Sequence, residues 1–251
     1  MDYTDTSVFN AYIPEAPLST FIECLWSVST HTHYVREKVL PMGRIDLMIN
    51  LGSPHKVVNK TNFNKFDLHK ESWVSGFQTE YIVIEALAET NMVGIRFKPG
   101  GAYPFFDLPI SEVSNQVVDM DLIWGNLIEE IRERLFEAKT TGERFKLLEV
   151  TLLKKLAFDL SSWQTVQFAV NQISQPSHFS TVKALSYQMG ISQKHLISQF
   201  NKMVGVSPKS LARILKFNTV LDSIDPTQPI NWADIAHQCH YYDQAHFNKD
   251  F

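Results

Sequence analysis

Residues 181–200, TVKALSYQMGISQKHLISQF, read as two short helices joined by a tight turn. Val182 and Leu185 give the first helix its apolar side, and Met189 follows its end. Gly190 stands where the chain must reverse, and glycine enters a left-handed turn without a Cβ penalty. Ser192 is placed to cap the second helix, its hydroxyl accepting one of the amide hydrogens that a first turn leaves unpaired. Leu196 and Phe200 are four apart and share the inward face. Helix, glycine turn and capped helix make the helix-turn-helix pattern, whose second helix enters the major groove of DNA. Helical hairpins also fill ordinary cores, so one occurrence does not decide the matter.

A second occurrence stands at the C-terminus. Residues 231–251, NWADIAHQCHYYDQAHFNKDF, repeat the layout: Ile235 and Ala236 on one helix, His240 in the turn, Asp243 as cap, and Phe247 and Phe251 four apart. Between the two units, GVSPKSLARILKFNTVLDSI (205–224) reads as one helix with Pro208 in its first turn and Leu211, Ile214, Leu215 and Leu221 apolar. From about Trp163 to the end, the chain resembles the DNA-binding domain of AraC-type (AraC/XylS) transcription regulators. The segments ALSYQMGIS, LxxxF, GVSP, DIA and YxDxAHF carry the likeness. The resemblance implies double-stranded DNA as partner, with two recognition helices in successive major grooves about 34 Å apart.

With Leu196 facing inward, Lys194 and Ser198 point away from the core, Ile197 and Asn201 flank them, and Gln193 opens the helix. These five are the candidate groove-facing residues of the first unit. Lys194 and Asn201 bear groups for base edges or phosphate, and Ile197 offers apolar contact to a thymine methyl. The competing reading is an ordinary solvated helix face. The family commonly has arginine where Lys194 and Ser198 stand, and serine cannot make arginine's bidentate contact to guanine. In the second unit the same projection turns Gln244, Ala245, Asn248 and Lys249 outward. His246 and Phe247 match the family's AHF, which implies a structural histidine. Two departures weaken this unit: histidine replaces a family glycine at His240, and the family's FK…G…P continuation with its final helix does not follow Phe251. The C-terminal end therefore reads as truncated.

Composition is that of an ordinary globular protein, 44% hydrophobic and 20% charged over 251 residues. The net charge of −4 conceals an asymmetry: residues 161–251 carry +2 and five of nine histidines, whereas residues 1–160 carry −6. Such a split suits a nucleic-acid-binding half joined to a half with another task. The start, MDYTDTSVFN, lacks a signal segment, and no apolar run is long enough for a membrane span. Cys24 and Cys239, the only cysteines, do not indicate a disulfide framework. A cytoplasmic protein without membrane contact is expected.

Residues 21–51 are strand-like, residues 53–72 read as one strand within loops, and residues 73–87 and 91–106 contain further strands. Turns are expected at residues 89–91 and at Pro99-Gly100-Gly101. Helical periodicity follows at Leu122, Ile123, Leu127, Ile128, Ile131 and Leu135, and again over residues 144–160, with a break near residues 140–142. PMGRIDLMINLG, GFQTEYIVIE and VGIRFKPGGAYPFFDLPISE resemble an N-terminal domain of uncharacterised function found in some AraC-type regulators. In relatives with other input domains that half binds a small effector inside a cupin-like barrel and mediates dimerisation. An unidentified small-molecule effector and a homodimer are thus expected, with Leu127, Ile131 and Leu135 as dimer seam or, equally, as packing onto the barrel.

Arg44 and Arg96 are the candidate partners of an anionic effector, and Trp26 and Phe97 candidate walls of its pocket. The competing reading pairs both arginines with Asp46 or Glu85. His31, His33 and Glu37 have an HxHxxxE spacing that resembles the first metal motif of cupin enzymes, but the preceding glycine and the second motif are missing. GIRFKPGG lacks the Gly-Lys-Ser/Thr ending of a phosphate-binding loop and reads as a hairpin turn. No cofactor, no metal site and no enzymatic activity are expected. The expected fold is α+β: a β-rich cupin-like barrel (1–120), a helical linker (121–162) and an all-α double helix-turn-helix domain (163–251). A sequence-specific transcription regulator is the leading reading. A metal-dependent cupin-like enzyme or small-molecule binder with a degenerate DNA domain is the alternative, and a protein-binding module on the same scaffold is the third.

Overall fold

The computed structural model describes residues 7–30, 35–156, 161–175, 181–224 and 227. Among these, ten strands come first: β1 (Val8–Tyr12), β2 (Ile22–Thr30), β3 (Val35–Val39), β4 (Ile45–Asn50), β5 (His55–Val58), β6 (Phe66–His69), β7 (Ser72–Ser75), β8 (Ile82–Ala86), β9 (Thr90–Phe97) and β10 (Val117–Asp119). Seven helices follow: α1 (Asp121–Trp124), α2 (Asn126–Glu137), α3 (Thr141–Lys155), α4 (Ser161–Ser174), α5 (Val182–Gln188), α6 (Gln193–Val204) and α7 (Pro208–Asp222). The mixed α+β class with a β-rich N-terminal region and helices after it matches the sequence reading.

The expected barrel does not close. Strands pair antiparallel in two separate sheets, one of order β1-β2-β9-β4-β7-β10 and one of order β3-β8-β5-β6. Where a ladder between β6 and β10 would close the structure, a side-chain pair stands instead: His69 Nδ1 lies 2.6 Å from Asp119 Oδ1. The sheets meet through aromatic contact, with the rings of His55 and His69 centred 5.6 and 5.7 Å from that of Trp73.

Strand alternation divides the six-stranded sheet into two chemically different faces. Leu25, Ile45, Leu47, Ile49, Val93 and Ile95 are buried on the helix-covered face. The opposite face carries two cross-strand rows, Trp26–Gly94–Met48–Trp73 and Cys24–Arg96–Asp46–Ser75. Gly94 is required in the first row, because a Cβ there would overlap the Trp26 ring.

Several local expectations need correction. Residues 53–72 form two paired strands, β5 and β6, rather than one. The turn expected at residues 89–91 lies earlier, since β9 already begins at Thr90. The segment after Pro99 does not close a hairpin but enters a single 3-10 turn, Tyr103–Phe105. The helix expected from Leu122 is broken at Gly125 (φ +55°), so α1 is one turn long. Thr140 and Glu143 then open α3 with a reciprocal capping box. The stripe offered as a dimer seam is closed: Ile131 and Leu135 are 2% and 0% exposed, and Leu127 packs on the same core. A helix covering a sheet must bury its apolar stripe there, which leaves none for a second copy.

That core does not stop at residue 162. It runs from Phe21 and Phe97 through Leu152 to Trp163, Leu196, Phe200 and Leu211. Trp163 Nε1 donates to Gly100 O (2.8 Å), and its ring lies 4.6 Å from that of Phe21. Ser114 Oγ donates to Gly205 O (2.8 Å) just beyond α6. No helix among the described residues is long and apolar enough to cross a membrane.

Candidate nucleic-acid interface

The 181–205 segment is set by local chemistry at each boundary. Thr181 Oγ1 accepts from Ala184 N (3.1 Å) at the start of α5, which buries Leu185. The chain reverses at Gly190 (φ +65°), with Gly190 N donating to Tyr187 O and Ile191 N to Ser186 O. Ser192 Oγ accepts from His195 N (3.1 Å) and starts α6, whose Leu196 and Phe200 are fully buried. Gly205 ends α6 in the left-handed region (φ +94°). Ser207 Oγ then accepts from Ser210 N (3.1 Å), and Pro208 occupies the first position of α7. Neither α6 nor α7 has an acidic residue in its first turn, so the positive end of each helix dipole is unopposed from within the helix.

Gln193, Lys194 and Ser198 are exposed and Ile197 is 37% exposed, so these four lie on the free surface of α6; Asn201 is half-buried at its flank. Two exposed groups escaped the sequence reading. His195 follows Lys194 on α6, and Tyr187, 88% exposed, projects from α5. Tyr187 stands two residues from inward Leu185, a spacing that turns a helical side chain outward. The C-terminal end of α6 is held against the N-terminal half, where a Cβ on Gly205 would collide with Ser114 and Ile110. Lys202 Nζ lies 5.6 Å from the centre of the Tyr103 ring. Gln244, Ala245, Asn248 and Lys249, with the whole second unit, fall outside the described residues.

Of the four effector candidates, three share one sheet face. Arg96 Nε lies 3.0 Å from Asp46 Oδ1 and Arg44 Nε 3.5 Å from Asp46 Oδ2, while Arg44 Nη1 is 3.7 Å from Glu23. Trp26 lies in the neighbouring row, its Nε1 buried with no hydrogen-bond partner. Phe97 belongs elsewhere. It faces the helices, fully buried, 5.6 Å from Phe105 and 6.0 Å from Phe106. Parity decides this, since Arg96 and Phe97 are consecutive on a strand. Glu85, the other acid considered for the arginines, is buried beside Arg36 and 3.8 Å from Lys56.

His55 and His69 had no legible partner in sequence, yet they are directly paired across β5 and β6 and both 5% exposed. His55 Nδ1 is 3.1 Å from Ser53 O and its Nε2 3.4 Å from Thr90 Oγ1. Burial pushes the His55 pKa down, partly offset by the Ser53 hydrogen bond. The usable signal was the Asn-Lys-Thr-Asn turn between the strands, where Asn59 Oδ1 accepts from the amides of Thr61 and Asn62. His31 and His33 lie outside the described residues, and Glu37 is exposed on β3. Among the described residues no group of three His, Cys, Asp or Glu is placed to hold a metal ion. A cleft of about 260 Å³ separates Leu40, Tyr81 and Glu80 from Arg213 and Phe217 of α7.

Residues 10–119 match a family described as a domain of unknown function (DUF6597), in line with the expected N-terminal domain of uncharacterised function. No curated protein matches the chain. Among solved structures, ToxT from Vibrio cholerae is similar at 10% identity, with 88% of this chain and 94% of that one covered and a TM-score of 0.45. Unsaturated fatty acid-bound ToxT from Vibrio cholerae strain SCE256 is similar at 12% identity, covering 100% and 92%, with a TM-score of 0.44. PhpD with cadmium atoms is similar at 12% identity, covering 81% of this chain and 47% of that one, with a TM-score of 0.25.

Proposed function

We propose that this protein is a sequence-specific DNA-binding regulator of transcription, with α6 as a recognition helix and the N-terminal half as its regulatory part. One observation carries the reading: α6 buries Leu196 and Phe200 completely while Gln193, Lys194, Ile197 and Ser198 stay on the free surface behind a capped, glycine-turned entry. Lys194 meets phosphate or a guanine edge, Gln193 an adenine edge, and Ile197 a thymine methyl. Ser198 supports only single hydrogen bonds, and half-buried Asn201 reaches the groove at the margin. Exposed Tyr187 suits a phosphate contact from the first helix, which crosses the backbone in this motif.

The AraC-type resemblance extends the reading to Gln244, Ala245, Asn248 and Lys249 in a second recognition helix entering the next major groove. An anionic effector would contact Arg44 and Arg96 beside Trp26 and displace Asp46 from both guanidinium groups. Phe97, on the opposite sheet face, has no part in it.

The test is retention of genomic DNA fragments at two salt concentrations by the wild type and by a Lys194→Ala/Asn201→Ala variant. Retention of a few fragments, weakened in the variant by about 1–3 kcal/mol for each base-reading side chain removed, is the expected result. Uniform, strongly salt-dependent retention of every fragment would mean phosphate binding alone. No retention at low salt would sink the proposal.

A further inference from the structure

Among the described residues the two sheets present four edge strands, and one differs in kind from the others. An edge exposes unpaired amides and carbonyls that invite another strand, and proteins block it with charge, proline or a bulge. On β3 stand Arg36, Glu37 and Lys38, on β6 Asp67, and on β10 Asp119. The fourth edge, β1, reads Val-Phe-Asn-Ala-Tyr, without charge or proline. It pairs with β2 from Val8–Ser29 to Tyr12–Leu25 with no shift of register, so no bulge protects it. All five residues are exposed, Val8 at 54% and Phe9 at 57%, and Ile13 just beyond at 71%.

We infer that β1 is a dimerisation strand, pairing antiparallel with β1 of a second copy about a two-fold axis through Asn10. The six-stranded sheets of two protomers would then join into one. A two-fold contact must be self-complementary, and this strand meets the condition in side-chain size. Centring on Asn10 sets each Phe9 opposite the partner copy's small Ala11, and each Val8 opposite its Tyr12, an aromatic on a β-branched residue. Tyr12 is held ready, its ring stacked 5.8 Å from Phe145 and its hydroxyl 3.1 Å from Glu149 Oε1. The stripe on α2 offers no rival, because Ile131 and Leu135 are buried within the protomer. One five-residue strand pair buries less than the roughly 800 Å² per partner of a standard interface, so the dimer is weak and concentration-dependent.

Sedimentation of the full 251-residue chain without DNA tests this, and its outcome is independent of the regulator reading. The wild type is expected to shift from monomer to dimer as concentration rises over about a hundredfold. Phe9→Lys, a change at an exposed position, is expected to stay monomeric at every concentration with an unaltered melting temperature. Asn10→Cys is expected to form a disulfide-linked dimer on mild oxidation under conditions where the wild type, with its own cysteines, does not. A wild type that is monomeric throughout, a dimer that survives Phe9→Lys, or an Asn10→Cys variant that fails to cross-link would each overturn the proposal. A monomeric wild type that instead binds an added VFNAY peptide would assign the edge to another chain and overturn the second copy as occupant.

Discussion

At the residue scale, side chains whose environment differs most from water give the sharpest expectations. Gly94 lies directly beneath the Trp26 indole, so Gly94→Ala must displace the ring or bend β9. Overpacking of this kind costs about 1–3 kcal/mol. A lower denaturant midpoint and altered tryptophan emission would register it, and unchanged values would show that the ring is not held there. His55 gives a pH dependence with a definite sign. Burial lowers its folded-state pKa, so the native protein prefers the neutral ring and the unfolded chain takes up the proton first. Its contribution is present in full above the unfolded value near 6.5 and is lost as pH falls through the folded value. Melting temperatures are therefore expected to drop between about pH 7.5 and about pH 5, and less steeply in His55→Gln. An equal slope in that variant would remove His55 as a source.

At the scale of elements, α6 depends on its two ends. Ser192→Ala deletes the hydroxyl that receives the His195 amide and should cost about 1 kcal/mol. Gly205→Ala is expected to cost more, roughly 1–3 kcal/mol, because the residue has φ +94° and the new methyl meets Ser114 and Ile110. Chemical denaturation of both variants orders the two costs; a milder Gly205→Ala would mean that the helix end shifts freely. The start of α6 was legible in the sequence because caps and reversals are local: Gly190, Ser192 and Pro208 each act within four residues. The strands were most plainly legible where alternation met burial, as in β4 and β9. The edge strand β1 is exposed on every residue, β3 alternates charge rather than hydrophobicity, and β5 and β6 hide behind a polar turn. The candidate site divides the same way. Lys194 and its neighbours follow from projecting one helix. The opposed facing of Arg96 and Phe97 follows from the parity of one strand, whereas the pairing of His55 with His69 depends on register between strands, and so does the open edge between β6 and β10.

The molecule as a whole behaves as one packed body over its described residues. Helices α5 and α6 share their core with the six-stranded sheet, and α6 and α4 are tied to the N-terminal half through Ser114–Gly205 and Trp163–Gly100. One cooperative thermal transition is therefore expected, with coincident far-ultraviolet and tryptophan signals. Two resolved transitions would show that the shared core does not couple the halves. A fragment of residues 161–251 should be markedly less stable than the same residues in the full chain, by about 1.5–3 kcal/mol for each large apolar side chain uncovered.

The Trp163–Gly100 hydrogen bond also bears on how such proteins can be recombined. A splice at residue 160 would strand an indole N–H and the Gly205 carbonyl, and would strip the cover of Ile110 and Ser114 from the end of α6. A foreign input half could replace the native one only by supplying a matching carbonyl, hydroxyl and apolar seat. An exchange of halves must therefore rebuild the contacts at Gly100 and Ser114.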